Sequence, residues 1–222
     1  IEEQEILGVN SREDLALAEK IIQTKLRHFF LNQGVTLIDP ETNYFSYDTI
    51  IKKDVTIFPN VFIGEGVKIE SGSSILPFCH LENCSIKKNV SVGPFARIRG
   101  NTVLSQNTKI GNFVELKNVI SGNEVKINHL SYLGDTSIGK FSNIGAGSIT
   151  CNYDGHKKNK TFIGSNAFVG SNSTMVAPLK IGNNSTIGAG SVITENVNDG
   201  DLAIGRERQI NKKDRSITKK KN

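Results

Sequence analysis

The side chains best suited to moving protons near neutral pH are the four histidines, His28, His80, His129 and His156, because an imidazole titrates there. His80, His129 and His156 would also supply the count for a zinc site. No paired-histidine spacing accompanies them, so a zinc enzyme is a weaker reading. Cys79, Cys84 and Cys151 are an odd set without metal or redox spacing, which suits a reducing compartment. One short segment, Cys151-Asn152-Tyr153-Asp154-Gly155-His156-Lys157-Lys158-Asn159-Lys160, gathers an amide, a phenol, an imidazole and three lysines.

The charge balance narrows the partners. Lys plus Arg total 27 and Asp plus Glu 22 in 222 residues, a net charge of +5. Lys212, Lys213, Arg215, Lys219, Lys220 and Lys221 against Asp214 account for that excess, so the basicity belongs to a solvated tail. Aromatics are 7%, Trp is absent and no nucleic-acid-binding motif occurs, so no nucleic-acid partner is expected. Hydrophobic residues at 37% and charged residues at 22% fit a soluble globular protein. No apolar run approaches the roughly 18 residues of a membrane span, and no membrane association is expected. The chain opens Ile1-Glu2-Glu3-Gln4-Glu5, acidic where a signal peptide would be basic and without an initiator Met. A cytoplasmic location and a piece of a longer protein are therefore expected.

Whatever these groups do, a repeat must position them. Ile51, Ile57, Ile63, Ile69, Ile75 and Leu81 fall six apart. After a one-residue deletion the register resumes at Ile86, Val92, Ile98, Leu104, Ile110 and Leu116. It continues at Ile127 and Leu133, then Ile138, Ile144 and Thr150, and ends with Ile163, Val169, Met175, Ile181, Ile187 and Ile193. Nine anchors are followed at once by Gly, as in Ile63-Gly64, Ile110-Gly111, Ile144-Gly145 and Val169-Gly170, where turns strained for other residues are expected. One hexad alone buries almost nothing. Stacked coils bring the aliphatic anchors into one internal ladder, so the span is read as a parallel β-helix. Asn, Ser and Thr are expected at the outward and corner positions.

Upstream the period changes. Ser11-Arg12-Glu13-Asp14 reads as an N-cap with an acidic first turn. Leu15, Ala18, Ile22, Leu26 and Phe29 follow at helical spacing as far as Asn32-Gln33-Gly34. This amphipathic helix is either an arm towards an upstream partner or a cap on the open end of the solenoid. One loop breaks the hexads, since Thr150 and Ile163 are separated by about seven residues more than one repeat needs. Excursions from a regular scaffold are where function concentrates.

Five segments carry a resemblance to a known family: Gly93-Pro94-Phe95-Ala96-Arg97-Ile98-Arg99, Gly111-Asn112-Phe113-Val114-Glu115-Leu116-Lys117, His129-Leu130-Ser131-Tyr132-Leu133-Gly134-Asp135, Asn143-Ile144-Gly145-Ala146-Gly147 and Cys151-Asn152-Tyr153-Asp154-Gly155. They resemble the bacterial bifunctional enzymes that acetylate glucosamine 1-phosphate and then uridylylate the product, from Gly8 to Arg206 of this chain. The resemblance implies a left-handed parallel β-helix with three hexads per coil, and a homotrimer with sites between subunits. It implies transfer of the acetyl group of acetyl-CoA to the amine of glucosamine 1-phosphate, supplying UDP-N-acetylglucosamine for peptidoglycan and lipopolysaccharide. It divides the chain into 1–10, a remnant of a uridylyltransferase domain, 11–47, a helical arm and linker, 48–199, the acetyltransferase β-helix, and 200–222, a tail. Asn10 matches a residue serving magnesium in the uridylyltransferase half. That half's motifs are not in this sequence, so its activity is not expected here.

The site residues follow from the same resemblance. His129 is the general base; His28 and His80 fall in no matching motif, and His156 lies in the loop near the chemistry with its role left open. Arg99, Lys117, Tyr132 and Asn143 match sugar-phosphate ligands, with Lys158 a further loop candidate. Ala146, Asn152, Tyr153, Ser171, Ala189 and Arg206 match the acetyl-CoA site. With three hexads per coil taken from the family, the phase of the repeat places His129, Ala146, Ser171 and Ala189 on one stripe, each two residues after its anchor. Direct transfer needs no nucleophile, so Cys151 is expected near the site but dispensable. Competing readings are a hexapeptide-repeat acyltransferase with another acceptor, a zinc enzyme of carbonic-anhydrase type, and a non-catalytic assembly solenoid.

Overall fold

Two of every six residues point inward, and that pattern sets the cross-section of the molecule. The computed structural model describes residues 8–213. Among these, 25 short strands follow one long helix, and all strand pairs are parallel. Ile57 pairs with Ile75, Val92 with Ile110 and Ile181 with Ile163, so each coil takes three hexads. Ile138 pairs with Ile163 and Ile144 with Val169, where the coil spacing widens by the 151–160 loop. The solenoid has about nine coils. One face is a ten-stranded sheet. The other two faces join into a fifteen-stranded sheet, because Glu115–Ser121 and Tyr132–Ile138 run through the corner between them. The ladder reaches Thr36 at one end and Ala203 at the other, wider than 48–199.

Every anchor read from the sequence is buried, Thr150 included. Fully burying each aliphatic contributes about 1.5–3 kcal/mol, and the contributions run continuously along the tube. The missing anchor between Leu116 and Ile127 is Ser121, 2% exposed, whose hydroxyl accepts from the Ser105 N–H at 3.0 Å. A polar residue at an apolar phase hid it.

Two expectations about small residues are corrected. Ser and Thr do not mainly face outward: Ser73, Thr102, Thr108, Ser131, Ser142, Ser148 and Ser173 line the interior, two residues before an anchor. Their hydroxyls satisfy buried carbonyls, as Ser148 does with Gly145 at 2.7 Å and Ser173 with Gly170 at 2.6 Å. Nor do most glycines after anchors make the turns. The left-handed corner lies three residues before the anchor and is held by Asn60, Asn89, Asn107, Asn166 and Asn172, or by Phe78, Phe95, Phe113 and Leu130. The glycines instead let coils approach. A Cβ on Gly145 would stand 2.6 Å from the Ser171 nitrogen, and one on Gly170 2.5 Å from the Ala189 nitrogen.

The helix runs Arg12–Asn32, with a reciprocal capping box between Ser11 and Asp14. Its apolar face packs only at one edge, where Leu26 lies half-buried against the core. Leu15, Ile22 and Phe29 are exposed, whereas Gln23, Arg27 and Phe30 are buried. The first coil ends in unpaired peptide groups, and only polar side chains can satisfy them. The Gln23 amide donates to the Phe45 carbonyl at 2.7 Å and accepts from the Phe45 N–H at 2.9 Å, as a neighbouring strand would. Arg27 donates to the carbonyls of Asn43 at 3.0 and 3.1 Å and Glu41 at 3.2 Å. The helix is therefore a cap on the solenoid end. No helix among the described residues is long and apolar enough to cross a membrane.

Candidate active site

His129 closes the strand Lys126–His129, one residue before the left-handed corner at Leu130. In a parallel ladder, paired residues project side by side from neighbouring coils. Asn112 is paired with His129, and its Oδ1 lies 2.7 Å from His129 Nδ1. Below His129 the same phase recurs once per coil. The Gly147 N–H donates to His129 O at 3.2 Å, the Asn172 N–H to Ala146 O at 2.7 Å and the Gly190 N–H to Ser171 O at 2.8 Å. Arg206 Nε donates to Ala189 O at 2.8 Å and ends the series. Asn112, His129, Ala146, Ser171, Ala189 and Arg206 thus form one stripe parallel to the solenoid axis. Its small members leave an open track below the imidazole.

Beyond the Leu130 corner lies a cationic cluster. Arg99, Lys117 and Gly134 are in register on successive coils of the fifteen-stranded sheet. Arg99 is steered by Glu115, with Nη2 at 2.6 Å and Nε at 2.9 Å from one carboxylate oxygen. Lys158 reaches Lys117 from the 151–160 loop. Its hydrogen bond and charge, with the charge of Arg99, hold the Lys117 pKa below the ordinary lysine value. Crowded cations of this kind are what an anion relieves.

The loop that delivers Lys158 is fastened by Asp154. One of its oxygens accepts from the N–H groups of His156 at 2.9 Å and Lys157 at 2.8 Å, and the other from Asn159 Nδ2 at 2.8 Å. Those bonds pull the Asp154 pKa down to about 2. Tyr153 and Lys158 pair as an antiparallel bridge across the loop, and Asn159 N–H returns to Asn152 O at 2.7 Å. Tyr153 and His156 are exposed.

Asn152 is 6% exposed and donates to Asp135 at 2.6 Å; Asp135 also accepts from Asn118 at 2.6 Å. A Cβ on Gly134 would lie 2.6 Å from both Asn152 Nδ2 and the Tyr132 hydroxyl, so those two groups converge over the bare glycine. Asn143 stands apart, on the ten-stranded sheet between Lys126 and Phe168. Asn10 is exposed, and its N–H donates to Asp14 at 3.0 Å. Among the described residues no three His, Cys, Asp or Glu groups come together as a metal site, and His80 instead packs at a tilt against Phe62 and faces Glu82 at 3.8 Å. Cys79 and Cys84 are buried, and burial pushes their thiols up to about 11 and about 12; Cys151 is half-buried beside Asn152.

Sequence reasoning missed Asn112, Asp135 and Glu115. Asn112 was within reach of the phase argument, since it too lies two residues after an anchor, Ile110. Asp135 and Glu115 orient others through bonds that span coils, which spacing does not reveal.

Comparison with known proteins adds the relatives. The hexapeptide-repeat family, bacterial transferase hexapeptide (six repeats), matches residues 160–195. Bifunctional protein GlmU of Wolbachia pipientis wMel is 56% identical over 210 residues, 95% of this chain and 49% of that protein. Bifunctional protein GlmU of Anaplasma marginale (strain Florida) is 50% identical over 211 residues, again 95% of this chain and 49% of that protein. The chain thus spans about half the length of the curated relatives it matches. Among solved structures, LpxA from Acinetobacter baumannii covers 77% of this chain and 71% of its own at 17% identity, with a TM-score of 0.46.

Proposed function

The chain belongs to the GlmU family over the C-terminal half of its members' length, and on that premise we propose that it transfers the acetyl group of acetyl-CoA to the amine of glucosamine 1-phosphate. The observation that carries this reading is the stripe from His129 through Ala146, Ser171 and Ala189 to Arg206, one coil per step. An extended thioester cofactor lies along such a track with its acetyl end at the imidazole. Asn152, Tyr153 and Arg206 are assigned to the cofactor with the small residues. Arg99, Lys117 and Lys158 are assigned to the sugar phosphate, with Tyr132 and Asn143.

The neutral amine attacks the acetyl carbonyl carbon. The N–C bond forms, the C–S bond breaks, the amine proton passes to Nε2 of His129, and the imidazolium returns a proton to the departing thiolate. No acyl-enzyme is required, which leaves Cys151 without a covalent role. The product, N-acetylglucosamine 1-phosphate, suits a following uridylylation. That step, with its magnesium and the role of Asn10, belongs to the half of the relatives that this chain does not span.

The site is assigned to the meeting of copies in a homotrimer. The His129 stripe and the Arg99–Lys117–Lys158 cluster lie on different faces of the corner at Leu130. Up to that corner runs an exposed apolar ladder: Phe78 stacks on Phe95 at 4.8 Å, Phe95 on Phe113 at 5.1 Å, and Leu130 follows. An apolar surface of this kind is what a second copy covers. Each copy would then lend one face to its neighbour's site. The proposed division follows the ladder: 12–32 the helical cap, 36–203 the catalytic β-helix, and the rest flanking segments. Of the tail, residues 214–222 lie outside the described residues.

Acceptor competition tests the reading. Turnover is expected with glucosamine 1-phosphate and not with glucosamine 6-phosphate or glucosamine. Lys117→Ala and Arg99→Ala are expected to raise KM for the sugar phosphate about tenfold or more, each losing a charge-assisted bond. Equal rates on all three acceptors would contradict it.

A further inference from the structure

The mechanism needs a lone pair on His129 Nε2, and an isolated imidazole does not supply it by default. In water the neutral ring favours the tautomer that carries its proton on Nε2. Something must reverse that preference, and the hydrogen bond at the other nitrogen decides which tautomer is held. We infer that Asn112 is the positioning residue of this site, its side-chain oxygen accepting the His129 Nδ1–H so that Nε2 is left as the base. The inference rests on the proposed acetyl transfer for its purpose, although the tautomer itself can be measured without any turnover.

Three observations carry it. Asn112 Oδ1 is 2.7 Å from Nδ1, within the range of a good hydrogen bond. The pairing is fixed by backbone and not only by side chains, because Asn112 and His129 are in register and the Leu130 N–H donates to Asn112 O at 3.0 Å. The two coils are also pressed together just before the pair. A Cβ on Gly111 would run into the Asn128 carbonyl, so a side chain there would push the amide away from the ring. Among the described residues His129 has no carboxylate partner. Glu115, in register with Tyr132, is held by Arg99 at 2.6 and 2.9 Å. A neutral amide orients the ring without adding an anion beside the base. It therefore favours the correct tautomer while leaving the imidazole free to take up and release its proton.

The test is the nitrogen spectrum of the four histidines of this chain, labelled with 15N-histidine. It is recorded about two units above an ordinary imidazole pKa, where neutral rings prevail. A His129→Gln sample identifies which of the four histidine signals belongs to His129. The expected signals are a pyrrole-type Nδ1 and a pyridine-type Nε2 for His129. In Asn112→Ala they are expected to move towards a mixture of tautomers. kcat is expected to fall about tenfold or more, the loss of one hydrogen bond to a group that becomes charged, with both KM values within about twofold. Asn112→Asp, which keeps an acceptor at the same place, is expected to retain the wild-type tautomer. A wild-type signal with the proton on Nε2, or an Asn112→Ala spectrum unchanged from wild type, would overturn the inference. If the protein acetylates no glucosamine 1-phosphate, the functional reading fails on its own, and the tautomer still decides the role of Asn112.

Discussion

Cys151 and Asp154, three residues apart, carry separate predictions at the residue scale. Cys151 is the accessible thiol, while burial holds Cys79 and Cys84 protonated, pushed up to about 11 and about 12. A thiol reagent at neutral pH is expected to label Cys151 first, read by peptide mass spectrometry, and Cys151→Ala is expected to keep its turnover. Labelling of Cys79 or Cys84 ahead of Cys151, or an inactive but folded Cys151→Ala, would contradict this. Asp154 holds the loop only as a carboxylate. Its folded pKa of about 2 lies below the ordinary 3.8, so its contribution is full above about pH 4 and is lost as pH falls towards 2. Asp154→Ala at neutral pH is expected to speed hydrogen exchange of the His156 and Lys157 amides about fivefold or more. Unchanged protection would remove Asp154 from its role. The sequence marked this loop as an insertion, and the phase of the repeat put His129 above Ala146, Ser171 and Ala189. It did not show Asp154 folding back on its own loop, a contact with no periodic signature; Asn112 shares the phase of His129, but phase alone does not say that its amide meets the ring.

At the scale of elements, the cap and the glycines show what a pattern of types can and cannot say. Leu15, Ala18, Ile22, Leu26 and Phe29 correctly implied a helix, yet the buried face belongs to Gln23, Arg27 and Phe30. Packing against a solenoid end is governed by unpaired peptide groups, and these ask for amides and guanidinium groups more than for aliphatics. Gln23→Leu leaves the Phe45 N–H and carbonyl buried without partners, and is expected to cost about 2–4 kcal/mol in urea unfolding. No measurable cost would show that the helix does not seal the end. The anchors predicted the coils almost completely, because burial selects aliphatics at a fixed phase. The reason for the glycines beside them was not legible, since it lies in the neighbouring coil. Gly145→Ala is expected to destabilise by about 2 kcal/mol or more, its Cβ meeting the Ser171 nitrogen at 2.6 Å. Gly64→Ala, with its nearest contact at 3.3 Å, is expected to cost less than Gly145→Ala. Equal costs would mean that coil approach is not what selects glycine.

The whole molecule is a rod on which function is laid out by face and by coil. Its hexads, three to a coil, turn a sequence separation into an axial distance, so that once the three-hexad coil is taken from the family the phase of the repeat lays out the stripe. The corner at Leu130 separates the base from the cations, and no sequence pattern states how two faces are to be joined. That is the part a second copy supplies in the proposed trimer. The most direct measurement is thiol release from acetyl-CoA in the presence of glucosamine 1-phosphate, with wild type beside His129→Ala. Sustained release is expected from wild type. A loss of about 100-fold or more is expected in the variant, the scale of one general base, with the fold intact by circular dichroism. Release at the wild-type rate by His129→Ala would contradict the central claim, and so would a folded wild-type protein that releases no thiol.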